Sequence, residues 1–423
     1  MTDRPTAGAV GLAPERAPRE ETPDGAGDTA DALLAAYRPG ATFLAGPSGT
    51  LLAEGTRVTE TTPGADGGLP ARVAALLAGH GAGSVMVGAV PFEDSEAPML
   101  RIPETVRWAP PLDVTAEPTT RVTGTGGTPG TATPCRVRAL PRPDRYRSMV
   151  REALAAIDTG AVEKVVLARS LALEFDDALD PEAVLRALAA RDRRGHLFAV
   201  DLDPVTSGTP AGRTLVGASP ELLVSRHGTR VEANPLAGSA PRGADPEEDA
   251  RVARELLVSP KDRHEHAVVV DAVARALRPF CAGLDVPAEP EVLATPTIWH
   301  LSTRLTGTLA DPADPASSAL ALGLALHPTP AVCGAPRKAA HDLLAAVEPC
   351  ARGFYAGLLG WVDDRGDGEW VVALRCGELA GRRARVHAGA GIVAGSSPDA
   401  ELVETRVKFG RFLDALGVDG TNR

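Results

Sequence analysis

The sequence is short of the features that mark several large protein classes. Cysteine is scarce, with five residues in 423: Cys135, Cys281, Cys333, Cys350 and Cys376. Their number is odd and no two form a C-x-x-C pair. Neither a disulfide framework nor a zinc ribbon organises such a chain, and reduced thiols are expected. Positive charge is also in deficit, since 44 Lys and Arg face 55 Asp and Glu for a formal net charge of -11. Wrapping nucleic acid or docking on an anionic membrane needs a basic face, so neither partner is expected. No apolar run approaches the length of a membrane span. The N-terminus carries acids throughout and no apolar stretch, unlike a secretory signal. A soluble, cytoplasmic protein is the expectation. There is no internal repeat, no P-loop and no G-x-S-x-G elbow, and no serine or cysteine nucleophile with recognisable partners.

What is present is the composition of a globular protein, 44% hydrophobic and 23% charged. The length allows two or three domains, or one large two-lobed domain. Residues 1–28 are rich in Pro, Gly, Ala and charge and read as a disordered tail. Residues 29–143 alternate short strands and helices without clustered acids, histidines or a glycine loop, and are assigned as scaffold. Within them, 115–134 (TAEPTTRVTGTGGTPGTATP) is of low complexity and is expected to be a flexible loop. The part from 144 to 423 is denser in chemically useful residues and is assigned as the catalytic part.

Several residues in it are worth weighing singly. The β-branched run AVEKVVLARS predicts a strand with Val162, Lys164 and Val166 on one face. A lysine between valines is desolvated and suited to act as a base, or it guards an edge strand. Glu221 follows a strand–turn–strand bend at Gly217, Ser219 and Pro220. Beside an apolar run it suits a general acid, or it is a solvent-facing turn residue. Gly238 and Ser239 predict a tight turn. Asp262 is a candidate cap for a helix carrying Glu265, flanked by His264 and His266. Those histidines point to different helix faces, so zinc is rejected, whereas a carboxylate suits a hard cation such as magnesium. TPTIWHLSTRLTG predicts one strand in which Trp299 and His300 face opposite ways. Arg375 is placed at the end of an apolar strand and needs an anionic partner.

Near the C-terminus, AGAGIVAGSSPDAELVETRVK predicts strand, glycine turn at Gly389, Gly391 and Gly395, then helix capped at Ser397 with Pro398 first. The helix N-terminus is a candidate anion cradle. Glu401, Glu404 and Lys408 share one helical stripe, while Leu402, Phe409, Leu413 and Leu416 form an apolar one. Ordinary surface ion pairs give the same spacing. The glycines are spaced G-x-G-x-x-x-G, and no second parallel strand follows, so a dinucleotide loop is rejected.

Taken in order, KVVLARS, GASPELLV, PLAGSAPRG, SPKDRHEH, PTIWHLST, LHPTPAVCG, GEWVVALRC and AGAGIVAGSSPDAELVET resemble the chorismate-binding family. The resemblance runs from about Asp144 onward and is nearest to the isochorismate synthases of catecholate siderophore pathways. It implies an α/β (α+β) fold of two lobes, with central antiparallel sheets covered by helices and the site between lobes. It implies chorismate as substrate and Mg²⁺ as cofactor; nothing in the sequence demands a protein partner, so a monomer is compatible with it and the oligomeric state stays open. By resemblance, Lys164 is the general base that activates water for attack at C2. Glu221 is the general acid that protonates the departing C4 hydroxyl. Glu265 and Glu404 hold magnesium, with Glu401 helping through a water. Gly238, Ser239, Ala331, Arg375, Gly389 and Lys408 match substrate contacts, and His300 an active-site histidine. Val332, where the salicylate synthases have threonine, favours isomerase over lyase. A salicylate synthase and a non-catalytic chorismate-binding subunit are the alternatives.

Overall fold

The computed structural model describes residues 28–114, 136–203 and 212–418. The expected flexible loop and nearly all of the expected disordered tail lie outside the described residues.

Two large sheets form the body, and every strand pairing among the described residues is antiparallel. The first is a 10-stranded sheet. Its members include Thr42–Gly46, His196–Asp201, Arg213–Ser219, Cys376–Ala380, Arg383–Ile392 and Lys164–Glu174. The second is a 9-stranded sheet that contains Val85–Val90, Leu358–Asp363, Gly368–Val372 and Leu222–His227. Its strand Val85–Val90 pairs with Leu358–Asp363 across most of the chain. A 3-stranded sheet made of Leu236–Pro241, Ile298–Ser302 and Glu291–Ala294 lies apart. The residues assigned as scaffold contribute strands to both large sheets.

Side-chain alternation explains why the sheets stack. In Arg213–Ser219, Leu215 joins one apolar cluster, and Val216 and Ala218 join another. In His196–Asp201, Phe198 and Val200 point one way and Leu197 and Ala199 the other. The 10-stranded sheet is therefore buried on both faces, which calls for runs of apolar residues rather than polar alternation. One face meets the second sheet, and the other packs on helices Pro181–Arg191 and Pro398–Ala415. Leu402, Phe409, Leu413 and Leu416 are all buried, as the apolar stripe predicts.

Local signals set the helix starts. Pro143, Pro181, Pro246, Pro260 and Pro398 each open a helix, where a missing N–H costs nothing. The helix Pro260–Leu277 is capped by Ser259, whose side chain accepts from the Asp262 N–H. The cap is thus Ser259 and not Asp262, which sits in the first turn.

Three other local expectations are corrected. Gly238 and Ser239 form no tight turn; they sit in strand Leu236–Pro241 at a bulge, with Gly238 at φ 72°. A glycine in that region kinks a strand without ending it. TPTIWHLSTRLTG is two strands, Ile298–Ser302 and Leu305–Leu309, in different sheets. Gly389 and Gly391 continue the strand Arg383–Ile392, and only Gly395 takes a positive φ, 85°.

Trp370 is fully buried between the second sheet and the helix Ala319–Leu326. Trp370→Ala is expected to lower unfolding free energy by about 3–5 kcal/mol, read from denaturant midpoints. A loss below about 1 kcal/mol would contradict this packing.

Candidate active site

Among the places where the chain passes between the two large sheets, two lie side by side, and each of these carries a charged residue. Strand Arg213–Ser219 of the first sheet leads through Pro220 and Glu221 into Leu222–His227 of the second. Strand Gly368–Val372 of the second leads back through Arg375 to Cys376–Ala380 of the first. The Val372 N–H donates to the Glu221 carbonyl at 3.2 Å, and the Ala218 N–H to the Arg375 carbonyl at 3.3 Å. Arg375 is therefore not at a strand end but in a crossing, where it adopts φ 49°. A non-glycine residue in that region is held there by its surroundings.

These crossings border a cavity with an open mouth, lined by convergent charged and polar groups. The twelve residues singled out above all line it: Lys164, Glu221, Gly238, Ser239, Glu265, His300, Ala331, Arg375, Gly389, Glu401, Glu404 and Lys408. They come from six elements, with Glu221, Ala331 and Arg375 supplied by three crossings or loops. The strand Lys164–Glu174, flanked by strands on both edges, brings Lys164; helix Pro260–Leu277 brings Glu265; helix Pro398–Ala415 brings the last three. The expected anion cradle at Ser397 and Pro398 does not line the cavity, and Ser397 makes no side-chain cap. The helix presents its side instead of its end.

The electrostatics separate the groups by role. Lys164 is 1% exposed, which rules out an edge-strand guard, and its Nζ lies 2.8 Å from Glu265 Oε1. Burial works against charge on Glu265, but the Lys164 ammonium outweighs it and holds that carboxyl below its usual range. Glu221 has the opposite fate. It is buried, its Oε1 has no hydrogen-bond partner, and burial pushes its pKa up to about 7. Glu401 is also pushed up to about 7, by burial first and then by the Glu404 charge. Lys408 Nζ contacts Glu404 Oε1 at 2.5 Å and donates to the Gly389 carbonyl at 2.9 Å. Burial, with Arg375 and Lys408 nearby, holds His300 well below its usual pKa, so it is neutral; its Nε2 is unpartnered. Arg375 has no carboxylate within ion-pair distance among the described residues. Buried polar groups without partners mark a ligand's place.

Sequence reasoning missed Lys261, Asp262 and Tyr355 as lining groups. Lys261 and Asp262 lie within SPKDRHEH, so attention to every charge in that segment would have found them. Tyr355 gave no local signal; its ring stacks on His387 at 4.9 Å and 13°. The two histidines beside Glu265 part company as expected: His264 contacts Glu163 at 3.1 Å, and His266 contacts Thr303 Oγ1 at 2.7 Å.

A sequence model described as chorismate binding enzyme matches residues 127–417. The chain belongs to the chorismate-binding enzyme family. Isochorismate synthase DhbC of Bacillus subtilis (strain 168) is 47% identical over 399 residues, covering 92% of this chain and 97% of the relative. Isochorismate synthase EntC of Escherichia coli (strain K12) is 39% identical over 334 residues, covering 79% of this chain and 81% of the relative. A crystal structure of a Bacillus anthracis protein, assigned as 2,3-dihydroxybenzoate-specific isochorismate synthase DhbC, superposes with a TM-score of 0.83. It is 42% identical and is matched over 92% of this chain and 100% of its own. Anthranilate synthase component I of Streptococcus pneumoniae TIGR4, at 20% identity and TM-score 0.64 over 89% of this chain and 90% of its own, shares the fold.

For this chorismate-binding enzyme the implied metal is magnesium. Among the described residues no three His, Cys, Asp or Glu side chains converge as a ready metal cage. Magnesium does not need one, because it takes one or two carboxylates and keeps waters or substrate oxygens. The donors fit in type: Glu265, Glu401 and Glu404 line one cavity, and Glu401 is pushed up by its carboxylate neighbour. The cations Lys164, Lys261, Arg375 and Lys408 face the carboxyls Glu221, Asp262, Glu265, Glu401 and Glu404. With Glu221 protonated the cavity keeps only a small positive surplus against a dianion, and a divalent cation would supply the rest.

A Cβ built at Gly391 would lie 2.6 Å from Glu265 Oε1 and 3.2 Å from Lys164 Cε. Gly391→Ala should therefore displace that pair and cut turnover about 10²-fold. Circular dichroism should show the fold intact; undiminished turnover would contradict the geometry.

Proposed function

We propose that the protein is an isochorismate synthase that converts chorismate to isochorismate in the cytoplasm and feeds 2,3-dihydroxybenzoate synthesis. The observation that carries this reading is one cavity holding a buried lysine and a buried carboxyl pushed up to about 7. The 47% identity to a named isochorismate synthase across nearly the whole chain supports it.

Moving a hydroxyl from C4 to C2 needs a proton donor at one end and a base at the other. Glu221, kept protonated by burial, donates to the departing C4 hydroxyl, which leaves as water. Lys164, as the neutral amine once it has released the proton shared with Glu265, takes the proton from the water that attacks C2, so one water enters and one departs. Arg375 and Lys408 hold the two carboxylates of the substrate. His300, neutral, offers a ring nitrogen without adding charge. Ala331 and the backbones of Gly238, Ser239 and Gly389 shape the wall. Glu265 and Glu404 are the proposed magnesium ligands, with Glu401 acting through a water. Magnesium, when bound, neutralises the ring carboxylate and supplies the charge that the cavity's own residues lack. Val332, buried and apolar, lines the cavity and favours release of isochorismate over elimination of pyruvate.

Incubation with chorismate and Mg²⁺, with products separated chromatographically, should yield isochorismate, and chelation should stop it. Chorismate left intact would sink the reading. Salicylate with pyruvate, followed by coupled lactate dehydrogenase, would replace it with a salicylate synthase. Lys164→Ala should lose on the order of 10²–10⁴ in turnover while calorimetry still detects chorismate binding in Mg²⁺.

The pH dependence has a defined sign. Glu221 acts as the acid only while protonated, so its contribution is present below about pH 7 and is lost as pH rises through that value. The kcat/KM profile should fall on its alkaline side near pH 7. A flat profile to pH 9 would remove Glu221 from the acid role.

A further inference from the structure

The long strand Lys164–Glu174 is paired along one edge by Arg383–Ile392 without interruption from Val165 to Glu174. Its other edge is interrupted. Gly334–Ala335 pairs with Lys164 and Val165, and Arg136–Leu140 pairs with Ser170 to Glu174. Among the described residues no strand covers 166–169 between these two short partners, although the Val166 N–H donates to the Cys333 carbonyl at 2.8 Å. Backbone groups there still need partners, because a buried N–H or C=O left alone costs about 1–3 kcal/mol.

Side chains fill the gap. Glu348 Oε1 accepts from the Ala168 N–H at 2.8 Å. Arg352 Nη2 donates to the Val166 carbonyl at 2.6 Å. The two side chains are bound to each other twice, Nη2 to Oε1 at 2.6 Å and Nε to Oε2 at 2.9 Å. They are 9% and 4% exposed. The third arm of the fork, Nη1, donates to the Val332 carbonyl at 2.6 Å. The guanidinium also lies over the Phe92 ring, 4.4 Å from its centroid. Both carbonyls that the fork holds belong to residues lining the active cavity, Val166 and Val332. Val166 is two residues from Lys164 and points to the same side of the strand.

We propose that the Arg352–Glu348 pair is a positioning device for Lys164. It takes over where the short pairing with Gly334–Ala335 ends and ties the lysine's strand to the adjoining Val332 segment. Neither residue lines the cavity. A planar fork with five donors can bind a carboxylate and two carbonyls at once; an ammonium on a flexible stem cannot hold the same three directions. The base then keeps its distance to the attacked carbon because its strand cannot slide along the adjoining 332–335 segment. This inference rests on the reading of Lys164 as the base.

The test uses the full chain carrying Arg352→Lys or Glu348→Gln, with the unaltered chain assayed alongside. Both variants keep a polar group of similar length, so the Ala168 N–H retains an acceptor in each. For Arg352→Lys, kcat should fall about 10²-fold while KM for chorismate stays within about threefold, because a misplaced base costs rate rather than binding. Glu348→Gln should move kcat the same way by less. Circular dichroism and the thermal midpoint are read on the same samples. Folded variants with kcat within about threefold of the unaltered chain would overturn the proposal, as would a rise confined to KM. Failure of both variants to fold would give the pair a folding role alone and overturn it too. An unaltered chain that makes no isochorismate would instead overturn the functional reading, and this inference with it.

Discussion

The cavity depends on two backbone hydrogen bonds that tie the inter-sheet crossings together, Val372 to Glu221 and Ala218 to Arg375. Because each crossing joins the same two sheets, the bonds lock the sheets in register at the place where the chemistry is needed. Glu221 and Arg375 are thereby fixed by main chain instead of by side-chain packing. The Glu221 carboxyl that this backbone presents is buried, and burial dominates its titration.

The same residue type serves different ends within one cavity. Glu221 has no cation in contact and stays protonated near neutrality; Glu265 has Lys164 at 2.8 Å and stays charged. Environments that push like groups apart are how one site comes to hold both an acid and an anion. Glu401 follows Glu221: burial first and then the Glu404 charge push it up to about 7, while Lys408 pairs with Glu404. The cations and carboxyls of the cavity nearly cancel. Affinity for an anionic ligand and for a divalent cation are therefore linked, each raising the other.

Much of this site was legible in the sequence, for a physical reason. Acid, base and oxygen-donor roles admit few side chains, so Lys164, Glu221, Glu265 and Glu404 stand in short, recognisable contexts. Helix starts were legible as well, because proline and caps act locally, although Ser259 rather than Asp262 does the capping. What stayed hidden was long-range. The bulge at Gly238 depends on the partner strand Ile298–Ser302, and the split of that segment from Leu305–Leu309 depends on which sheet each half joins. Gly389 and Gly391 suggested a turn, but they are small because Tyr355 and Glu265 press on a straight strand. Glu348 and Arg352 lie just past the end of helix Arg337–Val347, four residues apart, and only the gap along a distant strand gives their pairing meaning.

The pairing of Val85–Val90 with Leu358–Asp363 bears on how the molecule is made. The strand Lys164–Glu174 likewise waits for Arg383–Ile392. Neither large sheet can close until synthesis has passed these late strands. Until then early strands such as Val85–Val90, buried along its whole length in the finished fold, present apolar faces and open edges. Closure over such sequence separations is slow, since the entropy of a long loop is lost before the contacts form. The nascent chain is therefore exposed to aggregation for most of its synthesis, and its demand for chaperones should be greatest just before the C-terminal strands emerge.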